Sequence, residues 1–161
     1  LRRSRGLGDV YKRQDLMGKI KEIAIRGKIR APMELIKAAN VDIKTGIDGD
    51  IRGGTLKRQV TLLTAEAWRA VCQDLQVELP WTVRRANILV EGIEFPRTSG
   101  YRIEIGEILL EVTRQTDPCS RMDEQHMGLT KTLMPDWRGG VCCNVIQGGK
   151  IAIGDNVLLA T

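Results

Sequence analysis

YRIEIGEILLEVTR, residues 101–114, is the stretch on which the fold turns. Tyr101, Ile103 and Ile105 occupy alternate positions, and so do Ile108, Leu110 and Val112. Successive side chains of an extended chain point to opposite faces, so a period of two describes two half-buried strands, each with one face turned to a core. Gly106 lies between them, where a tight reversal favours a residue without a Cβ. Two strands joined around Gly106 are therefore expected.

The same reading extends in both directions. Downstream, GGVCCNVIQGGKIAIGDNVLLA (residues 139–160) is a series of short apolar runs punctuated by Gly148-Gly149 and Gly154-Asp155, both tight-turn signals. Upstream, KIKEIAIRG (Lys19 to Gly27) sets isoleucines among charges as a first strand, and Lys28 to Pro32 follows as a loop. TGIDGDIRGG, from Thr45 to Gly54, is too poor in apolar residues for regular buried structure and reads as loop. KRQVTLL (Lys57 to Leu63) is β-branched and leads into the clearest helix, with Thr64 as N-cap and Glu66 in the first turn. On that helix Ala65, Trp68, Val71, Cys72 and Leu75 recur at three-and-four spacing and form one apolar face. RANILVEGIEF (Arg85 to Phe95) is a further apolar segment with polar residues at its entrance. Many short strands, few helices and frequent glycine turns predict a mainly β, barrel-like fold with a few short helices.

The 161 residues suit one domain. No apolar run approaches the roughly 20 residues that span a bilayer, and no signal-peptide pattern is present, so no membrane association and a cytoplasmic location are expected. The formal charge of +5 suggests nucleic acid, but Arg2, Arg3, Arg5, Lys12 and Arg13 supply it almost entirely. Ser4 to Gln14, SRGLGDVYKRQ, matches the translation of a transposase sequencing adapter at every codon. Residues 1–14 are read as an adapter-derived tail, Met17 as a natural start, and 17–161 as the single domain. Without the tail, 20 cations face 19 anions. No basic patch dense enough for nucleic acid remains.

Cys72, Cys119, Cys142 and Cys143 are accompanied by one histidine, His126, with no C-x-x-C or H-x-x-x-H spacing, which argues against structural zinc and a disulfide framework. Cys72 lies on the apolar helix face and reads as a small buried hydrophobe. Cys142 and Cys143 would point to opposite faces of a strand, with one of them buried. Cys119 differs. It sits in TDPCSRMDEQHMGL, residues 116–129, a polar segment with no periodicity to draw the sulfur into a core. Arg114, Arg121 and Arg138 favour its thiolate while Asp117, Asp123 and Glu124 oppose it; the thiolate is the form that attacks electrophiles or ligates soft metals. Arg58-Gln59, Arg85 with Asn87, and Trp137-Arg138-Gly139-Gly140 stand at other segment ends. They form a set suited to an anionic heterocycle such as a phosphorylated pterin or nucleotide, with solvated rim arginines as the plainer alternative.

Six pieces occur in order: GDIRGG, RQVTLL, RRANILVEGI, YRIEIGEILLEV, DPCSRMDEQ and DWRGGVCCNVIQGGKIAIGD. Together they resemble the MOSC domain, the family named for the C-terminal part of molybdenum-cofactor sulfurases, from about Met17 onward. The resemblance implies a MOSC fold and makes Cys119 the counterpart of the family's signature cysteine. It also implies one of two roles. In one, Cys119 ligates molybdenum held by molybdopterin in an oxidoreductase acting on small N-hydroxylated compounds with an external electron donor. Arg85 and Asn87 then hold the pterin or its phosphate, Asp117 lies two residues before the cysteine, and Arg58 and Arg138 are weaker contacts. In the other, Cys119 carries sulfur as a persulfide supplied by a cysteine desulfurase. A non-catalytic cofactor-binding module is a third reading. Arg52 stands where many small family members have histidine, and His126, seven residues beyond Cys119, reads as a surface residue.

Overall fold

The computed structural model describes residues 17–160. The expectation for residues 1–14 therefore lies outside the described residues. Among the described residues there are eleven strands: β1 (Met17–Ile25), β2 (Glu34–Ile36), β3 (Ala38–Asp42), β4 (Gly46–Ile47), β5 (Val60–Thr64), β6 (Ile88–Glu91), β7 (Arg102–Ile105), β8 (Ile108–Gln115), β9 (Val141–Gln147), β10 (Gly149–Ala152) and β11 (Asn156–Leu159). Among the same residues three short helices, α1 (Ala65–Leu75), α2 (Arg121–Gln125) and α3 (Leu129–Leu133), accompany them, with 3-10 turns at Trp81–Arg84 and Pro135–Trp137.

The stretch 101–114 behaves as its period requires. β7 and β8 pair antiparallel with Ile103 opposite Leu110 and Ile105 opposite Ile108, and Gly106 takes φ 52° in the turn. All four of those side chains are buried. The ladder then runs β11-β7-β8-β9-β5-β6-β1, and β1 pairs again with β11, so seven strands close into a barrel, with β2 attached to β1 as an eighth strand of the sheet. Inward-facing Ile20, Ile23, Leu62, Ile88, Val90, Leu110, Val112, Cys143 and Val145 fill it. The expected mainly β barrel with few helices is what forms.

One pair is parallel. β5 and β6 run side by side with Leu62 opposite Ile88, and such a pair needs a crossover. The helix with the three-and-four face supplies it. Thr64 caps α1 by accepting from the Ala67 N–H at 3.1 Å, and Ala65, Trp68 and Val71 pack with Trp81, Leu89, Met122, Leu129 and Leu133 in a second core outside the barrel.

Two expectations need correction. The 45–54 segment does contain regular structure: Gly46 and Ile47 form β4, and Ile47 is fully buried. Its apolar content is low because one isoleucine suffices when β3 and β10 complete the three-stranded sheet. Gly148 and Gly149 form no tight turn either: β10 follows β9 after a single residue, leaves the barrel and pairs with β3.

Candidate functional site

A cavity of about 310 Å³ lies against the outer barrel wall, between Thr61 on β5, Asn87 just before β6, Arg84 and Arg85 at the 3-10 turn, the Arg26–Met33 and Asp50–Arg58 segments, and the segment from Asp117 to Gln125. Cys119 is one of its lining residues and is exposed. The cavity brings together Arg26, Arg30, Arg52, Arg58, Arg84, Arg85 and Arg121 with only three carboxylates, Asp50, Asp117 and Glu124. None of its cations is a lysine. Planar guanidinium forks suit phosphate and carboxylate recognition better than point charges do.

Each wall is held by specific bonds. Asp50 accepts from the backbone N–H of Arg26 at 3.2 Å and of Arg52 at 3.3 Å, which fastens the two arginine-bearing loops to each other. Gln59, buried at the start of β5, donates to the carbonyls of Ile43 and Gly53 and accepts from the Val145 N–H, tying the same loop to the barrel. Cys119 immediately precedes α2. Its carbonyl accepts from the Met122 N–H at 2.9 Å and from the Thr130 hydroxyl at 2.8 Å, so the backbone at the thiol is fixed although its side chain is open.

The arginines repel one another. Burial lowers the Arg26 pKa, and the neighbouring charges of Arg85 and Arg52 lower it further, against the opposing effect of Asp50. Arg84, only 4% exposed, is brought down to about 10 by burial first and by Arg58 second. Four buried side-chain atoms among the described residues lack a hydrogen-bond partner: Arg52 Nε, Arg58 Nε, Arg84 Nη2 and Thr116 Oγ1. Three of the four belong to this cavity's arginines, which marks it as short of acceptors.

Cys119, Arg58, Arg85, Asn87 and Asp117, all expected at the site, line this one cavity. Their situations differ. Asn87 is buried, with Oδ1 accepting from the Thr61 N–H at 3.0 Å and Nδ2 donating to the Ala24 carbonyl at 3.2 Å, so most of its amide is committed to joining strands. Arg85, in left-handed backbone with φ 64°, donates through Nη2 to the Ala31 carbonyl. Asp117 is exposed and pairs with Arg114 at 3.0 Å. Arg138 is elsewhere: it pairs with Asp74 at 2.5 Å and lines a separate cavity beside Trp137 and Phe95. His126 bonds the Met127 carbonyl and does not line the cysteine's cavity.

Sequence reading missed Arg84, the most buried cation of the set. The doublet Arg84-Arg85 contained the signal, but nothing in the string says which member turns inward. The buried cysteine was also underestimated. Cys142 and Cys143 are both fully buried, Cys143 inside the barrel and Cys142 on the outer face opposite Thr61, with burial raising both thiols' pKa values.

A closed seven-stranded barrel with an arginine-lined cavity on its flank and an open loop thiol at that cavity defines a class of small β protein built around one cysteine loop. The chain belongs to the MOSC domain family, whose model matches residues 48–158. That match begins just after β4, whereas likeness to solved structures extends further. The YuaD protein from Bacillus subtilis superposes with TM-score 0.74 at 16% identity, covering 88% of this chain and 94% of that one. YiiM from Geobacillus stearothermophilus gives TM-score 0.72 at 16% identity over 89% of this chain and 75% of its own. YiiM from Escherichia coli gives 0.66 at 16% over 89% and 70%. At such identity these structures establish the shared fold. No curated protein matches the chain in sequence.

Proposed function

We propose that the cavity holds a molybdenum cofactor, with Cys119 as the protein thiolate on the metal and the arginines on the molybdopterin phosphate. The protein would then act as an oxidoreductase on small N-hydroxylated compounds with an external electron donor. The MOSC family is associated in general with this cofactor. The observation that carries the reading here is one cavity shared by an open cysteine and seven arginines, four more cations than carboxylates.

The residues present fit the group. A volume of about 310 Å³ lies at the small end of the range for ligand pockets, about 300–1,000 Å³. The unpartnered guanidinium nitrogens call for an anionic ligand. No cluster of three His, Cys, Asp or Glu side chains among the described residues could hold a metal ion, so a metal at Cys119 takes its other ligands from outside the protein, as a dithiolene pterin provides. When bound, the cofactor supplies the redox chemistry. The chain's own part is binding and orientation. Cys119 offers a soft sulfur donor from a backbone fixed by Met122 and Thr130. Arg58, Arg85, Arg26 and Arg52 surround the anionic portion, and Asn87 keeps β1, β5 and β6 in register beneath it.

The exposure of Cys119 favours a second reading, a persulfide carrier loaded by a cysteine desulfurase, because a carrier must present its sulfur to two partners. Metal and pterin content of wild type and Cys119→Ser, expressed in a host that makes the cofactor, separates the two. Ligation predicts metal in the wild type and its loss in the variant. Metal absent from both refutes ligation, and gain of one sulfur on Cys119 after incubation with a desulfurase would then support carriage. Bound cofactor with no turnover would leave a binding module.

A further inference from the structure

A second cavity, of about 430 Å³, lies where the first turn of α1, the segment after β6 and the turn before β9 meet. It shares no lining residue with the cavity of Cys119. Its apolar wall consists of Ile93, Phe95, Pro96, Trp137 and Val141. Aromatic side chains are scarce in this chain, with three Trp, two Tyr and a single Phe, and the cavity takes the Phe and one of the Trp. Trp137 differs from the other two tryptophans. Trp68 donates its indole N–H to the Leu79 carbonyl at 2.9 Å and Trp81 to Glu22 at 2.8 Å, so each ties two parts of the fold together. The Trp137 indole makes no such bond among the described residues, and its ring stays half-buried at the cavity. Its backbone and that of Asp136 both take φ 56°, in the left-handed region that a bulky residue adopts only where its surroundings impose it.

Three contacts brace the cavity walls. Glu66 on α1 accepts from the Gly92 N–H at 3.1 Å, the Tyr101 hydroxyl donates to the Pro96 carbonyl at 3.1 Å, and Arg97 pairs with Asp136 at 3.0 Å from one loop to the other. The charge is opposite in sign to that of the Cys119 cavity: three carboxylates, Glu66, Glu94 and Asp136, stand against two arginines. Both arginines are already engaged, Arg97 with Asp136 and Arg138 with Asp74, which lies outside the cavity. Glu94 and Glu66 form no ion pair among the described residues. Two carboxylates without a paired cation therefore stand beside an aromatic wall.

We infer that this cavity binds a small planar aromatic cation, an amidinium or a protonated amino-heterocycle. The ring packs on Trp137 and Phe95, whose π faces attract positive charge, and the N–H donors of the cation reach Glu94. The volume is within the usual range for ligand pockets, about 300–1,000 Å³. The same carboxylates repel an anion of equal size, so the two cavities of the molecule select ligands of opposite charge.

Because no lining residue is shared, the test uses the full chain without cofactor, and its result stands apart from the metal measurement at Cys119. Benzamidine, benzamide and benzoate are three probes of one shape that differ in charge. Each is titrated while the indole N–H signals are followed by proton–nitrogen NMR, with the Trp137 signal identified by its loss in Trp137→Phe. Benzamidine should shift the Trp137 signal saturably and leave those of Trp68 and Trp81 in place. It should bind about threefold or more tighter than benzamide, the scale of one exposed charge contact, and benzoate more weakly than either. Glu94→Gln should bring benzamidine down to the affinity of benzamide, whereas Glu104→Gln, an equal loss of charge on β7 away from the cavity, should change nothing. The inference is overturned by the absence of a saturable benzamidine shift at Trp137, by benzoate binding as tightly as benzamidine, or by wild-type benzamidine affinity in Glu94→Gln.

Discussion

Asn87→Ala separates a residue that supports the site from one that touches the ligand. Immediately before β6, Asn87 joins three strands: its backbone N–H donates to the Thr61 carbonyl at 2.9 Å and its carbonyl accepts from the Ala24 N–H at 2.7 Å. Its side chain repeats both links, accepting from Thr61 N and donating to Ala24 O. Truncation leaves the backbone bonds and deletes the side-chain pair. The Thr61 N–H and the Ala24 carbonyl then lose their partners where Ala24 is fully buried and Thr61 is 6% exposed, so water cannot replace the amide. A buried polar group left unsatisfied costs about 1–3 kcal/mol, giving about 2–6 kcal/mol for the two. That is a large share of the roughly 5–15 kcal/mol by which domains are stable. Urea unfolding followed by tryptophan fluorescence reads it directly: with a slope of about 2 kcal/mol/M, the middle of the usual range, the midpoint should fall by about 1–3 M. An unchanged midpoint accompanied by lost cofactor would refute the reasoning and make Asn87 a ligand contact.

Three further outcomes follow from burial. Cys142 and Cys143 keep their protons in the folded state beyond the ordinary thiol range, and Tyr101 does the same for its hydroxyl, in each case chiefly through desolvation. The unfolded chain releases those protons first, so stability is whole below about pH 8.5 and falls as pH rises above it, by about 1.4 kcal/mol per pH unit for each group that ionises only when unfolded. Cys143→Val should flatten that fall in urea midpoints measured from pH 7 to 10; an unaltered slope would count against it. Alkylation at pH 8 followed by peptide mass mapping should modify Cys119 fastest, half-buried Cys72 more slowly, and Cys142 and Cys143 only after unfolding. Gly139→Ala should lower stability, because its methyl would lie 2.5 Å from Thr116 Oγ1 and 3.3 Å from Pro118 Cγ. A wild-type urea midpoint in that variant would contradict the close approach.

What the sequence makes legible follows from which physical effects act locally. The alternation of Tyr101 to Val112 is a local consequence of one buried face, so it predicts β7 and β8 and, repeated, the barrel. The α1 face and its Thr64 cap are local too. Strand partners are not: the parallel register of Leu62 with Ile88, the second pairing of β1 with β11 and the departure of β10 to β3 each depend on residues far apart in the chain. The same limit governs the site. Cys119 was readable because its polar surroundings lack any pattern that would bury it. Arg84 and Arg85 were not distinguishable, because their difference arises at one backbone position. Arg84 closes the 3-10 turn and faces the Gly139 loop, while Arg85 enters the left-handed region and reaches the Ala31 carbonyl. A single φ sign thus decides which guanidinium is enclosed and which stays at the cavity rim. It follows that exchanging the two roles by substitution should be asymmetric: a neutral residue at position 85 removes one charge among several, whereas a neutral residue at 84 removes the enclosed cation and leaves the Gly139 carbonyl without its donor.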